Sequence, residues 1–218
     1  MDWDLVLESI GPIALGGLTA TIPLTLITFA LGLVLAIGLA LMRISGVRVL
    51  SGIARVYISL IRGTPLLVQL FLVFYGLPSV GIVIDAWPSA IIALSLNVGG
   101  YAAEVVRAAI LSIARGQWEA ASMLGMSRGQ ALWRIILPQA SRVAVPPLSN
   151  TFISLVKDTS LASVITVTEL FRTAQQIAAP SGEFLVIYGV AAVVYWVLCT
   201  ILAFGQDLLE RRLDRHAV

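Results

Sequence analysis

The sequence predicts an all-α integral membrane protein with five transmembrane helices, and three observations carry that reading. Of the 218 residues, 59% are hydrophobic and 12% charged, against roughly 45–50% and about 25% in a soluble domain. Several apolar runs reach the ~20 residues that a helix needs to cross a bilayer with all its backbone groups satisfied internally. The arginines gather in alternate connections between those runs, as the positive-inside rule requires.

The same numbers exclude other classes. The pI is near 9.0, but the net charge is only +2 and no basic face accompanies it, so a nucleic-acid partner is not expected. The one cysteine, Cys199, lies in an apolar run and allows no intrachain disulfide. The one histidine, His216, leaves little scope for histidine catalysis or a metal site. A binding module that works in water is excluded by composition. A membrane enzyme lacks a visible nucleophile–base pair.

The spans are expected over residues 18–42, 53–78, 86–110, 139–158 and 184–206 of a single domain, 1–218, with a loop over 115–138. The acidic start MDWDLVLESI has no basic n-region, so the first span is expected to remain uncleaved. Arg43, Arg48, Arg55 and Arg62 flank the first connection. Arg107, Arg115, Arg128, Arg134 and Arg142 flank the third, and Arg211, Arg212 and Arg215 the tail. Asp2, Asp4, Glu8, Asp85, Glu169 and Glu183 fall on the other side, with Arg172. This places the N-terminus outside and the C-terminus in the cytoplasm.

The prolines of the second and fourth spans bear on helix continuity. In the second, Thr64 suits an N-cap and Pro65 a first helical residue, but Pro65 to Pro78 is too short to cross alone. A continuous, kinked helix starting before Arg62 is therefore expected. In the fourth, Pro146-Pro147 should kink or break the helix and free carbonyls for a cavity. Gly16, Gly17, Gly32, Gly38, Gly99 and Gly100 suggest close helix packing. Trp3 and Trp87 suit an outer interfacial belt, and Trp118 and Trp133 an inner one.

The loop GQWEAASMLGMSRGQALWRIILPQA is the most informative stretch. Gln117 to Leu124 has helical periodicity, Gly125 stands where a left-handed C-terminal cap would go, and Ser127 with Gln130 matches a capping box. Pro138 should mark the break before the next span. Two short helices around a glycine corner result, which on these grounds alone either rest on lipid or dock a partner.

Intramembrane polar residues need a partner or a watered cavity. Asn97 and Glu104 share a helix face, and Arg107 can pair with Glu104. Asn97, Asn150, Asp158, Thr159, Ser160 and Gln69 are the candidates for a substrate path. In that path Asp158 would receive an ammonium group and a helix N-terminus at Thr159-Ser160 a carboxylate. Mutual neutralisation of Lys157 and Asp158 is the plainer alternative. Arg62, Glu104 and Arg107 are gate or ion-pair candidates.

Glu119-Ala120-Ala121, Gly125, Ile135, Leu137 and Pro138 resemble, at full spacing, the EAA loop of ABC-importer permeases. Arg62-Gly63-Thr64-Pro65-Leu66-Leu67 with Gln69, Gly100-Tyr101-Ala102-Ala103-Glu104 through Arg107, and Lys157-Asp158-Thr159-Ser160-Leu161 resemble the polar amino acid permeases, the histidine, glutamine and arginine importers. Within that group the stretch from ILPQASRV to ELFRTAQ is most similar to bacterial L-cystine permeases. The resemblance implies a bacterial inner-membrane permease subunit for a polar amino acid. It makes Trp118, Glu119, Ala120, Ala121 and Gly125 the ATPase-coupling residues. It also implies an ATPase subunit, a second permease copy or homologue, and an extracytoplasmic binding protein as partners.

This chain is expected to bind no cofactor of its own. Its one lysine, Lys157, stands outside any Gly-Lys-Ser/Thr loop, so ATP and Mg would be used by the partner. The competing class is a secondary transporter driven by an ion gradient, with Asp158 and Glu104 carrying protons.

Overall fold

In the computed structural model, which describes residues 3–214, the secondary structure among the described residues is helical with no strands. Helix α1 spans Trp3–Ile44, α2 Arg48–Gly63 and α3 Leu66–Val80, α4 Ala86–Ser112 and α5 Arg115–Met123. Helix α6 covers residues 128–158, a 3₁₀ turn follows over Thr159–Ile165, and α7 (Leu170–Ser181) and α8 (Phe184–Asp214) complete the chain. His216, Arg215 and Asp2 lie outside the described residues.

Among the described residues three helices are long and apolar enough to cross a membrane, α1, α4 and α8, and the pair α2–α3 makes a fourth if counted as one bent span. Helix α6 continues for 22 residues from Leu137 but carries Gln139, Arg142, Asn150, Lys157 and Asp158, too polar a set to count by apolarity. Helix α1 starts 15 residues before the expected 18. Its 42 residues measure about 63 Å at 1.5 Å each, twice a hydrocarbon core of ~30 Å. The extra length is held because Ile13, with Leu5 and Val6 beside it, packs on Leu170, Ala174 and Ala178 of α7 and Ile187 of α8.

Helices α1 and α4 cross at the centre of the molecule, and their glycines explain the closeness. A Cβ on Gly32 would stand 2.6 Å from the Val98 side chain and 3.0 Å from the Ser95 carbonyl, and one on Gly99 2.6 Å from Leu35. Gly100 likewise admits Ile61 of α2, and Gly16 and Gly17 admit α7 at Thr173 and Leu170. Gly38 departs from the packing expectation: nothing lies within 4 Å of its would-be Cβ. Around the crossing, Leu24, Leu70, Leu94, Leu155 and Ile165 are buried in one core.

Prolines are absorbed by widened turns. A π-turn occupies Gly17–Thr21, Leu72–Gly76 and Leu132–Ile136, and each ends two residues before a proline, Pro23, Pro78 and Pro138. In each case the residue before the proline donates its N–H five residues back, Ile22 to Gly17, Leu77 to Leu72 and Leu137 to Leu132. This makes room where the proline ring would meet the carbonyl four residues earlier. So Pro138, expected to mark a break, lies inside the continuous α6. Pro146-Pro147 does not break α6 either, which remains helical from Leu137 to Asp158.

Glu169 is the most buried charged side chain described, with no exposed surface. Its carboxylate caps α7, accepting from the N–H groups of Phe171 at 2.9 Å and Arg172 at 2.7 Å, and from the Tyr195 hydroxyl of α8 at 2.9 Å. Thr21, in the first π-turn, donates to it at 3.4 Å and accepts from the Leu170 N–H at 3.3 Å. Burial raises this carboxyl above its ordinary range, although the four donors favour the ionised form.

Replacing Gly32 with Ala is expected to destabilise the fold by about 1–3 kcal/mol through overpacking. Gly38→Ala should change stability by no more than about 0.5 kcal/mol. Thermal unfolding of both variants in detergent measures the contrast.

Candidate functional site

The loop between α4 and α6 folds as a corner. Helix α5 ends with the Gly125 N–H donating to Ser122 O at 2.9 Å and the Met126 N–H to Ala121 O at 3.1 Å, a Schellman pair that needs a left-handed residue between them. Gly125 supplies it, at φ +74°. Immediately after, Ser127 Oγ accepts from the Gln130 N–H at 3.3 Å, and Gln130 Oε1 accepts from the Ser127 N–H at 2.8 Å. The glycine cap and the capping box are as the sequence predicts, though α5 begins two residues earlier than Gln117.

Burial divides the predicted coupling residues. Glu119, Ala120 and Gly125 are exposed. Ala121 is fully buried, so its small side chain serves packing within the chain rather than approach by a partner. Trp118 is half-buried and packs on the cluster of Ala40, Val106, Ile110, Ile136 and Ala140, which roots α5 on α1, α4 and α6. Gln139 of α6 adds a hydrogen bond to Gln117 at 3.3 Å. Met123, not singled out from the sequence, is 89% exposed, and Leu124, whose spacing from Trp118 and Ala121 predicts a shared apolar stripe, is 79% exposed while those two face inward. Their signal was there to read: two large apolar residues directly before a capping glycine.

The second span is not a kinked helix. Helices α2 and α3 meet at 105° because Thr64, which precedes a proline, takes an extended conformation (φ −120°, ψ 143°). Pro65 is extended as well and occupies the N-cap of α3, so Thr64 is no N-cap. Instead the Thr64 hydroxyl donates back to Leu60 O at 2.8 Å. Gln69, buried, closes the elbow. Its Nε2 donates to Ile61 O at 2.9 Å, Thr64 Oγ1 at 3.0 Å and Thr64 O at 3.2 Å, and its Oε1 accepts from Asn97 Nδ2 of α4 at 3.1 Å.

Two cavities share this region. One of about 320 Å³ is lined by Thr64, Asn97, Tyr101, Thr151 and Asp158, among others. A second of about 520 Å³ is lined by Arg62, Tyr101, Glu104 and Thr151. Tyr101 and Thr151 border both, so the two form consecutive chambers along the α4–α6 face. The Arg62 guanidinium lies 5.5 Å from the centre of the Tyr101 ring. The Arg107 side chain holds Glu104 at 2.6 Å, and Arg43 of α1 lies 3.7 Å from the other carboxylate oxygen.

The fold thus brings Asn97 and Asp158 together, and Arg62 with Glu104 and Arg107, while Gln69 reaches the first chamber through its bonds to Asn97 and Thr64. Three candidates lie elsewhere. Asn150 is exposed and accepts from Gln206 of α8 at 3.3 Å. Thr159 and Ser160 follow the C-terminal end of α6 and present no helix N-terminus. Their hydroxyls donate back to Val156 O at 2.7 Å and Lys157 O at 2.6 Å, and the Thr159 N–H is taken by α6 carbonyls. Lys157 borders a different cavity from Asp158, beside Tyr188, Tyr195 and Trp196. Tyr101, Thr64 and Thr151 line these chambers and were not among the sequence candidates.

The family model for binding-protein-dependent transport system inner membrane components matches residues 28–215. The chain belongs to this family. It is 56% identical over 215 residues to the L-cystine transport system permease protein TcyB of Bacillus subtilis, covering 98% of this chain and 92% of that protein. It is 37% identical over 217 residues to the arginine transport system permease protein ArtQ of the same organism, covering 99% of each. Among solved structures, a chain in the crystal structure of an amino acid ABC transporter with histidines superposes with a TM-score of 0.89 at 35% identity, covering 94% of this chain and 96% of that one. The inward-facing MetNI methionine ABC transporter shares the fold, with a TM-score of 0.72 at 20% identity over 96% of each chain. This permease is therefore a protein of the bacterial inner membrane.

Gln69→Leu should lower stability by about 1–3 kcal/mol, the cost of leaving a buried acceptor unpaired. Gln69→Glu should do no better, because an ionised carboxylate cannot donate to the elbow carbonyls. Unfolding temperatures of both variants in detergent test this.

Proposed function

We propose that this permease, a component of an amino-acid ABC importer, carries L-cystine inward on ATP hydrolysed by a separate subunit. The observation that carries the coupling half of this reading is the corner at Gly125. A short helix rooted by Trp118 and Ala121 presents Glu119, Ala120, Met123 and Leu124 outward, an apolar edge with one charge, suited to a groove on another protein. The identity to the cystine permease over nearly the whole chain supports the substrate.

Five spans are proposed, with the N-terminus outside and the C-terminus in the cytoplasm. Helix α6 is the fifth, and its polarity fits a helix that faces a watered path rather than lipid. The arginines beside the corner support a cytoplasmic position for it. One chain with these helices leaves the path open on one side, so a second permease, a copy or a homologue, would close it. An extracytoplasmic binding protein would deliver substrate to the outer face, and ATP with Mg would bind only the partner ATPase.

Along the path Asp158 faces the first chamber and can receive an ammonium group, with the Asn97 amide beside it. Arg62 borders the second chamber and can receive a carboxylate, in place of the helix N-terminus proposed from sequence. Cystine carries an ammonium and a carboxylate at each end, so an acid and a base in successive chambers suit it. A proton-driven carrier is less well supported, since Glu104 is held by Arg107 and flanked by Arg43.

Proteoliposomes holding this chain and its ATPase, with ATP inside and the binding protein outside, should take up labelled cystine only when both are present. Uptake driven by a proton gradient without ATP would overturn the importer reading. Replacing Gly125 with Val forces a β-branched residue to φ +74° and should leave assembly intact while uptake per ATP hydrolysed falls. An unchanged ratio would remove the corner from the coupling route.

A further inference from the structure

A cavity of about 950 Å³ lies beneath the corner, between α5, the start of α6 and the adjoining ends of α1 and α4. Its volume falls at the upper end of the range, roughly 300–1,000 Å³, of pockets that bury a drug-sized molecule. The floor is aliphatic: Leu41 and Ile44 come from α1, and Ile110 and Leu111 from α4. Trp118 and Trp133 also line it, and Trp133 is 64% exposed. Tryptophan with an apolar wall on one side and water on the other is the signature of the headgroup level of a bilayer.

Charge completes the description. Arg115 and Arg128 border the cavity, both exposed, and neither has an ion-pair partner among the described residues. The arginines at the other chambers differ, since Arg43 and Arg107 hold Glu104 and Arg62 lies over a ring. Glu119 is the one acid on the wall, so the rim carries two positive charges against one negative. An aliphatic floor, two tryptophans and two unpaired guanidinium groups complement one molecule in particular, with acyl chains at one end and a phosphate bearing net negative charge at the other.

We propose that this cavity binds an anionic phospholipid, its phosphate between Arg115 and Arg128 and its acyl chain along Leu41, Ile44, Ile110 and Leu111. The lipid then fills the space between the coupling helix and the bundle. The site needs only that the chain spans a membrane, so it stands or falls independently of the transported substrate and the energy source.

The test uses the full chain with Trp3, Trp87 and Trp196 replaced by Phe, which leaves Trp118 and Trp133 as the fluorophores. The protein is placed in phosphatidylcholine nanodiscs holding equal small fractions of brominated phosphatidylglycerol or brominated phosphatidylcholine, and quenching is compared. Quenching by the anionic lipid should reach half-maximum at a fraction lower by on the order of tenfold, as expected for two arginines acting on an anionic headgroup. The preference should vanish in the double variant Arg115→Gln, Arg128→Gln and survive in Arg115→Lys, Arg128→Lys, which keeps the charge. Equal quenching by the two lipids overturns the proposal, as does a preference that the Gln variant retains. If the ATPase subunit shields both tryptophans while neither lipid is preferred, the cavity belongs to the partner protein, and the proposal fails.

Discussion

Within hydrocarbon there is no water to meet a stray backbone group, and each one left bare costs several kcal/mol. Every irregularity of this fold is arranged around that constraint. Where α2 stops at Thr64, the Gln69 amide and the Thr64 hydroxyl cover the carbonyls that lose their helical partners. Where α7 begins, Glu169 accepts its first free N–H groups. Ahead of Pro23, Pro78 and Pro138, the turn widens by one residue instead of opening. The first chamber therefore lies beside a sharply bent chain whose freed carbonyls are covered.

The same economy ties the corner to the path. Helix α6 begins at the capping box of Ser127 and runs unbroken to Asp158, a rod of about 46 Å at 1.5 Å per residue. Trp118 and Ala121 seat α5 on the start of that rod, and Asp158 at its far end lines the first chamber with Asn97. The corner and the first chamber thus lie at the two ends of one helix. Asn97 is bonded to Gln69, so α4 and the elbow form the wall past which the rod would move.

Local signals were legible in the sequence where one residue type has one use. Gly125 and the Ser127–Gln130 pair predicted the corner, because few other residues take φ +74° or close a capping box. Glu104 and Arg107 predicted their ion pair from spacing alone. Tertiary partners were hidden. Nothing near Gln69 shows that its amide bonds eight residues back as well as across to α4, and an exposed carboxylate and the buried Glu169 look alike in one dimension. Pro138 misled for a physical reason: a π-turn lets a helix pass a proline, and its mark in the sequence is no more than an ordinary apolar stretch upstream. Thr159-Ser160 misled because a hydroxyl pair after a helix can bond backwards as readily as it can cap forwards.

The Glu169 junction also bears on how the chain is made. Thr21 leaves the ribosome 148 residues ahead of Glu169, to which it is bonded in the finished protein, and Tyr195, which donates to the same carboxylate, follows later still. The first helix to enter the membrane must therefore wait, its N-terminal third undocked, until the last helix has been inserted. Closure of this junction marks completion of the polypeptide, and a truncated product lacking the final helix would keep Glu169 without its Tyr195 donor. Such a carboxylate would keep three of its four donors, and the last comes only with the final helix.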